Sequence, residues 1–335
     1  MKPPEVRLTV ESAGLLSTVQ DLGRFGRRRY GISVCGALEG DHLRLANAAV
    51  GNGADAAALE LSGGRFRLEL EQFTWACWMG GGNASLEQGR PERIRAFEAT
   101  GRGLLALGGG IDVPEVQGSR STDLRAGFGG FKGRALRRGD VLFLGTPYPD
   151  PRALVPRALD PRALDPQTLD PQTLPSRATS PRWRIPAFTL HGAVRVMRGP
   201  EWELLTPAAQ LSLEQMVFRV SMQSNRMGLR LDGAALEHDR SFQMRSGAVL
   251  PGVVQLPPGG QPIVLLQDAG TVGGYPRVLI VAAVDLPRVA VLPSGTAVSL
   301  RLVSNEEALV ALVEQKHTLE RLLHSIALRR TMKLG

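Results

Sequence analysis

A chain of 335 residues has room for two ordinary domains or one large one, and 43% hydrophobic against 21% charged residues is the balance of a soluble globular protein with a real core. No run of about 18 apolar residues occurs, which excludes a membrane-spanning helix. The formal charge of +8 comes from 40 basic residues, all Arg except Lys2, Lys132, Lys316 and Lys333. They are scattered rather than gathered on one face with aromatics between them, so an acidic substrate or partner fits better than nucleic acid.

Met1-Lys2-Pro3-Pro4-Glu5 has no apolar signal core, which makes the cytoplasm the expected location, and Val6 onward alternates as a strand. GDHLRLANAAVGN (40–52) places Leu43, Ala46, Ala49 and Val50 on one helical face and stops at Gly51-Asn52-Gly53. Arg65-Phe66-Arg67-Leu68-Glu69-Leu70 has the period of a half-buried strand, and GLLALGGG (103–110) is a short apolar run closed by glycine. Cys35 and Cys77 lie far apart outside any CxxC spacing, and His42, His191, His238, His317 and His324 form no close ligand set; neither a disulfide nor a metal site is expected.

Residues 150–175 repeat (D/V)-P-(R/Q)-(A/T)-L five times. A proline at every fifth position removes helix donors and pushes the preceding residue to extended backbone, which predicts an exposed, semi-stiff linker. The expected organisation is a β-rich half over 1–149, the linker over 150–181, a second β-rich, barrel-like half over 182–303 and a C-terminal helix over 304–335. In the second half, Val217-Phe218-Arg219-Val220 alternates, and PIVLLQD (262–268) and RVLIVAAVDLP (277–287) are apolar runs. Turn dipeptides recur about every ten residues, as in sandwiches and barrels. Ser304-Asn305-Glu306-Glu307 is a capping box ahead of Leu309, Leu312, Val313, Leu319, Leu323 and Ile326, a helix that packs on the core or on a partner.

The glycine-rich loops match no nucleotide signature: GxxxxGK(S/T) is absent, neither GGGNASLEQG (80–89) nor GGGID (108–112) gives GxGxxG opening a helix, and no GxSxG occurs. Polar glycine-rich strings remain. TVQDLGRFG (18–26) holds Gln20, Asp21 and Arg24, and GSRSTDLRAGFGG (118–130) holds Ser119, Arg120, Ser121, Thr122, Asp123 and Arg125. SNRMGLRLDG (224–233) adds Arg226, and QLPPGGQPIVLLQDAGTVGGYP (255–276) adds Gln255, Asp268, Thr271, Gly273, Gly274 and Tyr275. Hydroxyls and guanidinium groups in tight loops suit a carboxylate, carbamate or phosphate, but the same groups also satisfy a loop's own backbone, and both readings stand on the residues alone.

In this order, TVQDLGRFG, LRLANAAVGN, GGIDVPEVQGSRSTDLRAGFGG, RMGLRL and QPIVLLQDAGTVGGYPR…DLPR resemble the biotin-dependent carboxyltransferase-like family, which includes the second allophanate hydrolase subunit type and KipA. The resemblance implies a mainly β fold with a few helices: two β-barrel-like halves, a cyclophilin-like element and the C-terminal helix. It implies the C subunit of an ATP-dependent 5-oxoprolinase, a hydrolase acting on a cyclic amide only within a complex. The partners would be a KipI/PxpB-like B subunit and a PxpA-like A subunit, with ATP used in the assembly and not necessarily on this chain. Alternatives within the family are a urea carboxylase-type carboxyltransferase component and a non-catalytic binder of a KipI-like kinase inhibitor. No AMKM or VMKM string is present, so no covalently bound biotin is expected.

On the family pattern, Arg120 and Arg226 would hold a substrate carboxylate or phosphorylated intermediate, and Gln20 and Gln255 would bind the lactam. Asp21 or Asp268 would orient an arginine or act as base, with Arg24, Ser119, Ser121, Thr122, Thr271, Gly273, Gly274 and Tyr275 completing the site. Three strings depart from the family. Cys35-Gly36-Ala37-Leu38-Glu39 stands for S-G-A-M-D, Asn225 for the aspartate of S-D-R-M-G, and Ala269-Gly270 lies where the family carries side chains capable of chemistry.

Overall fold

The computed structural model describes residues 6–146, 183–188, 192–239 and 244–331. The pentapeptide repeat, and with it the linker, lies outside the described residues. Two β modules pack side by side, and the last helix of the chain clasps both.

The first module is an eight-stranded, nearly closed barrel. Its strands are β1 (Val6–Ala13), β2 (Ser17–Gln20), β3 (Ala58–Ser62), β4 (Phe66–Gly80), β5 (Pro91–Ala99), β6 (Arg102–Leu107), β7 (Ile111–Asp112) and β8 (Val141–Leu144), in the order β2-β3-β6-β4-β1-β8-β7 with β5 also on β4. β4 shows how sequence decides its surroundings. Over its first turns Phe66, Leu68 and Leu70 point inward while Arg67, Glu69 and Glu71 face water. Further along, Ala76, Cys77, Trp78 and Met79 are all buried, because α1 (Gly40–Val50) covers the outer face there. β6 repeats the pattern, with Leu105 and Leu107 in the barrel core and Leu104 and Ala106 under the helix.

α1 ends as its sequence requires. Gly51 adopts a left-handed conformation, and Asn52 ties the helix to β6 by donating to the Leu107 carbonyl (2.7 Å) and accepting from Gly109 N (2.7 Å). LRLANAAVGN is therefore a packing element: its apolar face is core and its last asparagine is a staple.

The second module is a closed barrel of β9 (Val194–Arg198), β10 (Val217–Val220), β11 (Gly228–Asp232), β13 (Val253–Gln255), β14 (Ile263–Leu265), β16 (Arg277–Val281) and β17 (Ala297–Leu302), in the order β10-β11-β14-β13-β16-β9-β17. Neighbours are antiparallel except β17, which closes the ring parallel to β9. A short pair, β12 (Gly247–Ala248) with β15 (Val272–Gly273), stands off the barrel. The interior is filled by Val196, Phe218, Leu229, Leu231, Val254, Val264, Leu279, Val298 and Leu300. α2 (Pro207–Ser212) and α3 (Leu286–Ala290) cap its rim. RVLIVAAVDLP thus splits into β16, a turn and the start of α3.

α4 (Asn305–Thr331) opens with the expected reciprocal capping box: Glu307 N donates to Ser304 Oγ (3.1 Å), and Ser304 N donates to Glu307 Oε2 (2.8 Å). The helix packs on the protein's own core, with Leu319 and Ile326 buried against α1, β4 and β6. Near its end Arg330 donates to the Ala48 carbonyl at the C-terminus of α1 (3.0 Å). None of the described helices is long and apolar enough to cross a membrane.

Ile326 is 4% exposed and Leu309 is 61% exposed. Truncating Ile326 to Ala is therefore expected to cost about 2–5 kcal/mol, whereas Leu309→Ala stays within about 0.5 kcal/mol. Urea midpoints of the two variants check this contrast.

Candidate functional site

The motif residues meet where the two modules touch, on segment 33–39. This segment leaves the first module and places Leu38 among the core residues of the second. Residues 21–24 run beside it, with Arg24 N donating to Val34 O (2.7 Å) and Ala37 N to Asp21 O (2.8 Å). The approach is close enough to require glycine on both sides. Gly23 (φ 100°) and Gly36 (φ 85°) are left-handed, and a Cβ on either would lie within 3 Å of the other segment's backbone.

Arg226, just before β11, is the centre of the seam. It is 5% exposed and donates to both oxygens of Asp268 (Nε to Oδ2 and Nη2 to Oδ1, each 2.9 Å), to the Gly36 carbonyl (2.6 Å) and to Glu60 Oε1 on β3. Burial opposes its charge, but Glu60 and Asp268 outweigh burial and raise its pKa, so it stays cationic. Glu60 in turn accepts from Leu38 N (2.8 Å), and Gln20 accepts from Gly36 N (3.1 Å) while donating to Thr18 and the Thr122 carbonyl. The Gly36 peptide is thus held at both ends, by Gln20 of the first module and Arg226 of the second.

Asp21 belongs to a separate knot. Its carboxylate accepts from Gly23 N (2.8 Å), Ser119 Oγ (2.6 Å), Ser121 Oγ and Arg120 N. Thr122 donates to Val19 O (2.9 Å). Arg24 is fully buried against Phe128 and donates to the Val116 and Ser121 carbonyls. This is largely the loop-satisfying arrangement: the hydroxyls serve Asp21 and backbone and the guanidinium serves two carbonyls, while Arg24 Nη1 is buried without a partner among the described residues. The Arg120 side chain lies further out, donating to Val113 O and facing Glu115. Gln255 donates to Tyr275 O (3.4 Å), and a Cβ on Gly273 would meet the Gln255 amide at 2.4 Å. Thr271, Gly273, Gly274 and the half-exposed Tyr275 form the outer rim of this loop.

The departures from the family strings have local explanations. Asn225 Oδ1 accepts from Met227 N (2.8 Å) and Gly228 N (3.3 Å), the turn-forming bonds that an aspartate makes equally well. Ala269 is buried with Val249, Val253 and Leu265, while Gly270 O accepts from Arg28 (2.9 Å). Cys35 is buried at positive φ (54°), a strained position for a residue with a side chain. Burial, then Asp268 and Asp123, push its thiol far above the ordinary range, and burial pushes Cys77 up to about 12.

Sequence reasoning missed a cavity of about 690 Å³ at the same seam, a size typical of small-molecule sites. None of the site residues expected from the motifs lines it. Its first-module wall is Glu39 and His42 at the start of α1, with Ser62 and Arg102 from the ends of β3 and β6. Its second-module wall is the turn after α3, Val291-Leu292-Pro293, with Arg288 and Phe188 between. Phe188 N donates to His42 Nε2 (2.9 Å), and His42 Nδ1 lies 3.0 Å from Glu39 Oε1. Arg288 is committed to Val284 O and Gln315 Oε1, and burial lowers its pKa against the pull of Asp285. The signal that could have revealed the cavity is the Glu39…His42 spacing on one face of a helix start; the register bringing Ser62 beside Arg102 was not readable. Among the described residues, no group of three His, Cys, Asp or Glu could hold a metal ion.

Two barrels sharing one motif-built seam define the class. The chain belongs to the carboxyltransferase domain family, subdomains A and B, whose pattern matches residues 30–302. It is 36% identical to the C subunit of the 5-oxoprolinase of Escherichia coli (strain K12) over 329 residues, covering 94% of this chain and 97% of that protein. It is 32% identical to the protein of the same name from Haemophilus influenzae, covering 87% and 90%. The crystal structure of the K. lactis urea amidolyase superposes with a TM-score of 0.76 at 26% identity over 96% of this chain, which spans only 20% of that larger chain.

Two outcomes are expected at the seam. Arg226→Ala leaves two buried carboxylates without their cation and should cost about 3–5 kcal/mol; combining Arg226→Met with Glu60→Gln and Asp268→Asn should recover much of that loss in a denaturant titration. The raised thiol pKa values keep Cys35 and Cys77 protonated, so DTNB at pH 8 should label neither in the native protein and both after unfolding.

Proposed function

We propose that this chain is the C subunit of an ATP-dependent 5-oxoprolinase, working with a PxpA-like A subunit and a KipI/PxpB-like B subunit to open 5-oxoproline to glutamate. The observation that carries the reading is the 36% identity to a protein of that name over nearly the full length of both chains. The urea carboxylase reading rests on lower identity, 26–28%, to proteins of which this chain covers less than a third, and so ranks below it.

The net reaction adds water across the lactam carbonyl and breaks its C–N bond, coupled to ATP hydrolysis. The seam cavity is not suited to a triphosphate: among the described residues its one unpaired cation, Arg102, shares it with the Glu39 carboxylate, and no lysine lines it. In this reading ATP is used elsewhere in the assembly than in this cavity, and the cavity's part is to bind and orient. Arg226, Asp268, Gln20 and Asp21 support that role by holding segment 33–39 rigid rather than by touching substrate. Such preorganisation of the surrounding shell fixes binding groups to the fraction of an ångström that reaction requires.

Mixing the chain with its A and B partners, ATP and 5-oxoproline should produce glutamate, and omitting the chain should lower the rate at least tenfold. An equal rate without it overturns the assignment.

A further inference from the structure

The seam cavity carries an inference about what it binds. Ser62 and Arg102 are directly opposed partners across β3 and β6, so their side chains project from the same face of the sheet. That face is the outer one: Leu104, two residues along from Arg102, packs under α1. Both side chains therefore stand beside the start of α1, where Glu39 enters the same cavity. Within the described residues the Arg102 guanidinium has no ion pair or hydrogen bond, and neither does the Ser62 hydroxyl. Glu39 Oε1 faces His42, leaving Oε2 without a donor among the described residues. Opposite lie Leu292, Pro293 and Phe188, an apolar wall.

One free cation, one half-free carboxylate, a free hydroxyl and an apolar wall describe a complementary ligand. It carries an anionic group for Arg102, an N–H for Glu39 and a small hydrocarbon body between them. We propose that this cavity is a binding site for a small molecule bearing a carboxylate close to an amide or lactam N–H. Arg102 takes the carboxylate, Glu39 accepts the N–H, and the Leu292-Pro293 wall covers the carbon skeleton. The choice of 5-oxoproline as the first probe rests on the proposed function; the site itself is argued from its side chains.

Glu39 is the residue after Leu38, whose N–H is held by Glu60, which in turn pairs with Arg226. The brace at the seam thus sets the position of the N–H acceptor. Arg102 is a binding group on a strand end, so its loss removes charge without opening the core.

The test measures binding to the full chain by ligand-observed NMR, using 5-oxoproline, 2-pyrrolidinone, which lacks the carboxylate, and the lactone of the same skeleton, which lacks the N–H. Expected are saturable binding of 5-oxoproline, at least tenfold weaker binding of each analogue, and at least tenfold weaker 5-oxoproline binding in Arg102→Ala, partly restored in Arg102→Lys. Gly81→Leu is a second variant that folds on physical grounds. Gly81 lines the cavity without a positive φ, and a Cβ there meets nothing within 4 Å, so the leucine should obstruct binding while leaving the melting temperature unchanged. No binding of 5-oxoproline, or binding that neither Arg102→Ala nor Gly81→Leu weakens, overturns the site. Because this readout needs neither partners nor ATP, a failed glutamate assay beside positive binding would count against the proposed function alone. An active complex whose KM ignores both variants would count against the site alone.

Discussion

The Arg226 guanidinium, enclosed between Glu60 of one barrel and Asp268 of the other, is the constraint on which the seam depends. Two carboxylates and one guanidinium cannot be buried cheaply, since the loss of hydration rivals the attraction gained. The arrangement is stable because nearly every lone pair and proton in it has a partner: Leu38 N on Glu60, Gly36 O on Arg226, and Asp268 engaged at both oxygens. Removing Arg226 leaves both carboxylates buried without their cation, whereas removing one carboxylate leaves a single ion pair. The triad links β3 of one barrel to the segments before β11 and after β14 of the other.

A second set of polar links joins the two modules through α4. Arg195 and Asp285 pair within the second barrel, Arg288 beside them donates to Gln315 on α4, and Gln315 donates to Asp41 on α1. The chain of contacts passes from one module to the other through a single glutamine. α4 is therefore more than a C-terminal cap: it carries a hydrogen-bond bridge at mid-length and an apolar dock further on.

How much of this was legible in the sequence follows from which forces act locally. The capping box at Ser304, the α1 stop at Gly51 and the alternation at Phe66-Leu68-Leu70 are local signals, and each has its counterpart in the fold. The continuous apolar stretch at Ala76–Met79 needed a covering helix to explain it, which period alone does not supply. The motif strings located the seam, since Gln20, Arg226 and Asp268 converge on one peptide group or its neighbours. They did not locate the cavity, because Ser62 and Arg102 come together only through a strand register between residues 40 positions apart.

The same contrast bears on what recurring motifs mean in this fold. Asp21 with Ser119 and Ser121 has the composition of a catalytic cluster, yet its oxygens are taken up by the loop that carries them. A carboxylate whose oxygens already accept from Gly23 N, Arg120 N and two hydroxyls is committed to its own loop. Residues with spare hydrogen-bonding capacity are those free to recognise something else, and among the described residues of this seam they include Arg102, Ser62 and one oxygen of Glu39. Glu39 stands where the family string has an aspartate, one methylene shorter. Its carboxylate lies 3.0 Å from His42 Nδ1 and lines the cavity, so the substitution keeps an acidic group at this wall.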